Sequence, residues 1–193
     1  MWTGDGRLLR LPQEDFCQAL SVPSTRKYQK EDGPGMLQIL ERLKESDRAN
    51  EDRYAFFKAQ VIYWLLGATD GHAKNFSIAL QPGGGFWMTK LYDVLTVQLV
   101  VDDRRIGQNR FKLAMSVGDN NRYQVNQIAR RHFEQTAAAA GLPKGTLDMV
   151  QAELNAAIPP ALDTLGELAG NTIPEALINS IAGGVRSRLA ILN

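Results

Sequence analysis

The sequence predicts a mainly α-helical domain in which one short β-hairpin carries the polar motifs. Three observations predict it. Apolar residues recur at helical spacing over residues 37–66 and again beyond 125. Between 76 and 91 the period drops to two. A Gly/Pro-rich joint, Gln81-Pro82-Gly83-Gly84-Gly85, divides that stretch as a hairpin loop.

Residues 1–36 read as a mostly irregular, loop-rich segment, punctuated by Pro12, Pro23, Gly33, Pro34 and Gly35, with a short helix expected over 13–20. Its many polar residues fit either a surface that contacts something or a flexible N-terminal extension. Helical periodicity begins at Leu37, with Leu37, Leu40 and Leu43 on one face and Lys44 and Glu45 on the other. A stronger helix starts at Asn50 or Glu51 and runs to Leu66. Asn50 suits the N-cap, and Glu51 and Asp52 suit the positive end of the helix dipole. Phe57, Val61, Trp64 and Leu65 form its apolar stripe, widened by Phe56 and Ile62. A stripe that wide predicts a helix buried in the middle of the domain, and Gly67 stops it. Strands are expected over 76–80 and 86–91. Residues 97–117 follow no single period. Four helices are expected beyond them, over 125–140, 146–157, 159–168 and 174–192. Gly141 ends the first and Gly170 the third, and Pro160 and Pro174 sit near helix starts, where a missing N–H costs little. The core of the domain therefore spans 37–193.

With 193 residues and 44% hydrophobic content, the chain can build one domain or one lobe of a larger enzyme. A formal net charge of +1 removes any whole-chain argument for nucleic acid or a membrane surface. Arg122, Arg130 and Arg131 cluster locally, a pattern that is usually a solvated face and less often a functional one. Cys17 is the only cysteine, so no intrachain disulfide forms, as suits a reducing cytosol. No apolar run approaches the roughly 20 residues of a membrane helix, and Met1-Trp2-Thr3-Gly4-Asp5-Gly6 lacks a signal-peptide pattern. A soluble, cytoplasmic protein without membrane partners is expected.

The chemistry concentrates in Asp70-Gly71-His72-Ala73-Lys74-Asn75, between the buried helix and the hairpin. Acid and amide stand five positions apart, the separation of the base and the metal-binding amide in a protein-kinase catalytic loop. A second acid, Asp93, follows the hairpin directly, as the metal-binding Asp does in kinases. Phosphoryl transfer asks for an acid to orient the incoming hydroxyl and for magnesium to neutralise phosphate charge. Magnesium takes oxygen ligands and keeps phosphates and waters alongside one or two carboxylates. Asp70 is thus the candidate base, and Asn75 and Asp93 the candidate magnesium ligands. Lys74 is placed to steady the transferred group, and His72 to reach nucleotide phosphates. The competing reading is an ordinary Asp-Gly turn with Asn75 and Lys74 in solvent.

Beyond spacing, residues 67–77 (Gly-Ala-Thr-Asp-Gly-His-Ala-Lys-Asn-Phe-Ser), Leu91-Tyr92-Asp93-Val94 and Lys112-Leu113-Ala114-Met115 resemble the signature of HipA-type toxin kinases. So do residues 10–20, and Lys27-Tyr28 through Gly33-Pro34-Gly35. The resemblance implies the C-terminal helical lobe of a protein-kinase-like fold, from a serine/threonine kinase of a bacterial toxin–antitoxin system. It implies Asp70 as the catalytic acid. It implies ATP and magnesium contacts at His72, Ala73, Lys74, Asn75, Tyr92 and Asp93. The implied partners are a helix-turn-helix, HipB-like antitoxin and a protein substrate such as an aminoacyl-tRNA synthetase.

The sequence also departs from that family. It shows no Gly-rich phosphate loop followed by a strand, no phosphate-pairing lysine in a β context and no adenine hinge. An N-terminal nucleotide-binding lobe is therefore expected to be absent, truncated away or supplied by a separate chain, and the chain alone is expected to be inactive. The family's DNA-touching patch falls near Ala137–Gly141, where an alanine run cannot make charged phosphate contacts. The alternative function is a non-catalytic kinase-like module that binds an antitoxin or another protein.

Overall fold

The computed structural model describes residues 4–6, 11–168 and 173–193. Met1-Trp2-Thr3, Arg10 and the expected helix stop Gly170 lie outside the described residues. The chain is mainly helical, as its periodicity predicts. Its β-structure, however, forms two small sheets and not a single hairpin.

The helix expected over 13–20 divides in two. Gln13–Asp15 is a strand (β1), and only Phe16–Ala19 is helical (α1). Asp15 explains the division. Its carboxylate accepts the Gln18 N–H at 3.0 Å while the Gln18 side chain accepts the Asp15 N–H at 3.0 Å, a reciprocal cap that starts a helix after an extended residue. The next helix is Met36–Arg42 (α2), continued by a 3-10 turn at Leu43–Glu45. Its buried face is Met36, Ile39, Leu40 and Leu43; Leu40 and Leu43 lie on it as expected, whereas Leu37 is 48% exposed.

The central helix, α3, spans Ala49–Leu66. Arg48, not Asn50, holds the N-cap position, with no side-chain cap bond. Asp52 instead fixes the start of α3. Its carboxylate accepts the Ser46 hydroxyl and the Met88 N–H, the latter at 2.8 Å, tying helix to hairpin. Phe56, Phe57, Val61 and Trp64 are fully buried, as expected of the middle of a domain, and Tyr63 joins them. The Trp64 indole donates to the Val125 carbonyl at 3.0 Å.

The hairpin strands are Ser77–Leu80 (β2) and Phe86–Met88 (β3), both slightly shorter than expected. β2 is the middle strand, with β1 and β3 antiparallel on either side; Glu14 faces Ile78, and Ile78 faces Met88. The stretch without a clear period resolves into a short helix, Gln98–Asp102 (α4), and a strand, Lys112–Val117 (β4). That strand pairs with Arg122–Gln124 (β5) in a second antiparallel sheet.

Helix α5 begins at Arg130, not Val125, and ends at Ala139; residues 125–127 form a separate 3-10 turn. The His132 imidazole accepts the Ala129 N–H at 3.0 Å and so marks the later start. The two helices expected over 146–157 and 159–168 are one, Thr146–Glu167 (α6), with Pro159 and Pro160 inside it. Each proline removes a helical N–H. This half of α6 is largely exposed, so water can serve the carbonyls left over. The last helix is Glu175–Leu192 (α7), and it packs on α3, α4 and α6.

The end of α3 is secured bond by bond. Gly67 takes a left-handed φ of 63°, and a Cβ there would stand 2.7 Å from the Phe111 ring. The Trp64 and Tyr63 carbonyls accept the N–H groups of Gly67 and Ala68 at 3.0 and 2.8 Å. The buried Arg188 guanidinium, from α7, donates twice to the Leu65 carbonyl, at 2.9 and 2.7 Å, and once to the Gln98 side chain. The Thr96 hydroxyl serves the Leu66 carbonyl. The four carbonyls a helix leaves open at its C-terminus are therefore all used, and the polar loop starts from a fixed point.

Candidate active site

The loop after Gly67 runs over Ala68 and Thr69 to Asp70, then through a 3-10 turn at Ala73–Asn75 into β2. Gly71 lies flat on the Tyr63 ring; a Cβ there would come within 2.4 Å of it. No residue with a side chain fits at that point, which is why an Asp-Gly pair stands here.

Asp70 is half exposed, its side chain at 49%. The Tyr28 hydroxyl donates to its Oδ1 at 2.6 Å, and His72 Nε2 stands 3.7 Å from the same oxygen. The bond to Asp70, burial and the carboxylate charge push the Tyr28 phenol up to about 12, so it remains a donor at neutral pH. Tyr28 also packs edge-on against the His72 ring, with centroids 5.0 Å apart. Asn75 is buried, and its side-chain NH₂ donates to the Asp70 carbonyl at 2.7 Å, closing the loop on itself. That bond leaves the amide oxygen as the group available to a cation.

His72 is nearly sealed from solvent. Its Nδ1 finds no partner among the described residues, and burial holds its ionisation below the ordinary histidine range, against the opposing pull of Asp70. The Tyr63 hydroxyl is likewise buried without a partner. Its pKa is pushed up to about 12, first by burial and then by the charges of Asp93, Tyr92 and Asp70. Asp70 and Asp93 thus both act on the Tyr63 phenol and on the His72 imidazole. The two acids stand at opposite ends of the hairpin in sequence, and the charge of each bears on both rings. Asp93 is exposed and takes a left-handed φ of 55°, a backbone that Asp tolerates better than most residues.

Other predicted residues are occupied within the protein. The Lys74 ammonium binds Asp15 Oδ2 at 2.7 Å, which raises its pKa, first through the hydrogen bond itself; it is an anchor between loop and strand β1. Ala73 is fully buried, and its N–H reaches the Lys27 carbonyl at 3.3 Å. The Tyr92 hydroxyl sits against the Ser77 hydroxyl and the Lys74 carbonyl, pinning the strand exit to the loop.

Three participants carried no role in the sequence reading: Tyr28, Asp15 and Tyr63. Lys27-Tyr28 lay in a family-like segment, but nothing in the spacing links Tyr28 to an acid 42 positions on. The pairing exists only after folding.

Among the described residues, no group of three or more His, Cys, Asp or Glu side chains could hold a metal ion. Asn75 and Asp93 offer an amide oxygen and a carboxylate. That set suits magnesium carried largely by phosphates and water, and not a metal held by protein alone. Nor, among the described residues, is any helix long and apolar enough to cross a membrane.

The loop thus presents a half-exposed acid and a buried amide bonded to its carbonyl, and a second acid follows the hairpin. The chain belongs to the HipA-like C-terminal domain family, which matches residues 4–162. It is 30% identical over 193 residues to the candidate kinase Y4mE of Sinorhizobium fredii, covering 97% of this chain and 43% of that protein. It is 25% identical over 175 residues to the serine/threonine-protein kinase toxin HipA of Shewanella oneidensis, covering 82% of this chain and 37% of the toxin. The chain therefore spans less than half the length of these relatives. Its fold matches that of a chain in the Shewanella oneidensis complex of HipA, HipB and operator DNA with a TM-score of 0.81. The identity is 20%, over 98% of this chain and 46% of the other. A more distant likeness, TM-score 0.50 at 12% identity, covers 94% of this chain and 66% of the Helicobacter pylori proinflammatory kinase CtkA.

Proposed function

We propose that these residues form the catalytic lobe of a HipA-type serine/threonine kinase, the toxin of a cytoplasmic toxin–antitoxin pair. It would transfer the γ-phosphoryl group of ATP to a protein hydroxyl. The observation that carries this reading is the state of Asp70: half exposed, fixed at one oxygen by Tyr28, and joined through the loop to Asn75. In this reading Asp70 accepts the proton of the acceptor hydroxyl on its free oxygen, within hydrogen-bond reach as a general base requires. Tyr28 orients the carboxylate, and Asn75 holds the loop closed. Asn75 and Asp93 would hold magnesium, which with bound nucleotide supplies the phosphoryl group and neutralises its charge. His72 and Tyr92 shape the wall beside it, and Lys74 acts through its anchor to Asp15.

Adenine and most phosphate contacts in kinases come from a second lobe, so the 193 residues alone are expected to be inactive. The partner expected by analogy with the Shewanella complex is a HipB-like helix-turn-helix antitoxin. Direct DNA contact through residues 137–140 is not expected, because those side chains are alanines. A translation component such as an aminoacyl-tRNA synthetase is the substrate to try first.

The test joins the chain to a HipA-type nucleotide-binding lobe, fused or in trans, and follows magnesium-dependent transfer from labelled ATP. Transfer should appear with the lobe, be absent without it, and fall at least about 10³-fold in Asp70→Asn, the scale of a lost general base plus its positioning. Full activity in Asp70→Asn would sink the catalytic assignment. Antitoxin binding with no transfer under any condition would favour a docking module.

A further inference from the structure

Beyond the loop, the surface beside Asp70 carries an unbalanced charge. Lys30 lies on the 3-10 turn at Gln29–Glu31, and Lys112 and Arg122 lie on the paired strands β4 and β5. Among the described residues, none of these three cations forms an ion pair with a carboxylate. They line two adjoining cavities of about 260 and 230 Å³ that share Lys30, Lys112 and Tyr123. The first cavity reaches Tyr28 and Thr69; the second reaches Arg122. Together they make one groove that starts where Tyr28 meets Asp70 and follows the β4–β5 hairpin away from it. Neither lining includes Asp70, His72, Asn75, Tyr92 or Asp93; the groove meets the candidate base through Tyr28, which bonds Asp70, and through Thr69, its chain neighbour.

The groove's charge is a local choice. The whole chain has a net charge of only +1, yet here three cations face a single lining carboxylate, Glu31. Lys30 Nζ stands 5.8 Å from the Tyr123 ring centroid, an arrangement that keeps the ammonium over the groove. Asn120, Asn121 and Gln124 line the outer half and can both donate to and accept from a peptide backbone.

We propose that this groove seats an acidic stretch of the protein substrate, next to the hydroxyl that is presented to Asp70. The inference rests on the kinase reading above and adds the substrate class to it. Three cations match a peptide carrying two or three acidic residues. They fall short of the roughly six to ten phosphate contacts of a nucleic-acid binder, and Glu31 and Asp70 would repel a continuous phosphate backbone. Charge complementarity of this kind chiefly selects partners and speeds encounter.

The test measures binding of fluorescent serine peptides to the 193-residue chain by anisotropy. One peptide carries acidic residues beside the serine, one is neutral and one is basic. The acidic peptide should bind at least tenfold tighter than the neutral one, and the gap should narrow as salt rises. Lys112→Glu with Arg122→Glu should abolish that preference, while Lys144→Glu, on a distant loop, should leave it intact. Thermal melts check that the variants fold. If the double variant does not, Lys30→Glu alone should still cost severalfold. Equal binding of all three peptides, or an acidic preference that survives charge reversal, overturns the proposal. So does an oligonucleotide that outcompetes the acidic peptide. Acidic binding without phosphoryl transfer, once a nucleotide lobe is supplied, would keep the groove and reject the kinase reading. Transfer without acidic preference would do the reverse.

Discussion

The four backbone carbonyls at the end of α3 are all paired; in and beneath the loop that follows it, two buried side-chain groups are not. Arg188 makes three hydrogen bonds from a buried position, and Thr96, Val97 and Ala68 serve the neighbouring backbone. The Tyr63 hydroxyl, carried by that same turn, and His72 Nδ1 in the loop are buried with no partner among the described residues. Satisfied buried networks hold a structure rigid, whereas each orphaned group costs about 1–3 kcal/mol. The difference is between a backbone frame whose polar groups are fully matched and side chains that are not, as at Arg53 and Gln60 further back on α3. Natural proteins place such locally unfavourable choices at functional positions.

The comparison can be broken or sharpened in steps. The largest effect on stability is expected at the frame. Arg188→Met strands the Leu65 carbonyl and the Gln98 side chain and should cost about 3 kcal/mol, read as a lower urea midpoint. Next is the junction of the two regions. Gly71→Ala drives a Cβ into the Tyr63 ring and should cost about 1–3 kcal/mol. Most of that loss should vanish in a Tyr63→Leu background, where the ring is gone; a purely additive double mutant would contradict the contact. At the loop itself, Tyr63→Phe removes an unpaired hydroxyl and should leave stability within about 1 kcal/mol of the parent, on the stabilising side. A larger loss would mean the hydroxyl has a partner after all.

The smallest expected effect is a pH dependence. His72 and His132 both have ionisation held below the ordinary range, chiefly by burial. The unfolded chain then binds protons more readily than the folded one. The stability that these neutral histidines contribute is complete above about pH 6.5 and is lost as pH falls through the window below it. Tm should drop between pH 7 and 5, and His132→Gln should flatten part of that slope. A level Tm across the range would show that neither ring must charge on unfolding.

The parts of the fold legible in sequence were those governed by local rules. The width of the apolar stripe located α3, Gly67 its end, and the change of period the hairpin. What escaped depended on partners far away in the chain. Strand β1 reads as part of a helix until β2 arrives to pair with it. β4 and β5 hide in a stretch without a single period because nearly all of β4 is buried, which erases alternation. Pro159 and Pro160 signal a break that exposed helix tolerates. The same division holds at the candidate site. The five-residue spacing and the acid after the hairpin marked Asp70, Asn75 and Asp93 as a group. Tyr28 above Asp70, Asp15 on Lys74 and Tyr63 beneath Gly71 are all relations between distant segments, and no spacing rule reports them.

Arg188 also changes how damage in α7 should be read. The guanidinium that steadies the start of the Asp70 loop is carried by α7, 123 positions beyond the carbonyl it binds. A substitution or short deletion that disturbs those turns of α7 would alter no candidate catalytic residue. It would nevertheless loosen the shoulder from which the loop is slung, and an assay would record it as a defect in chemistry. Variants near residue 188 therefore belong in the same class as lesions of the loop itself.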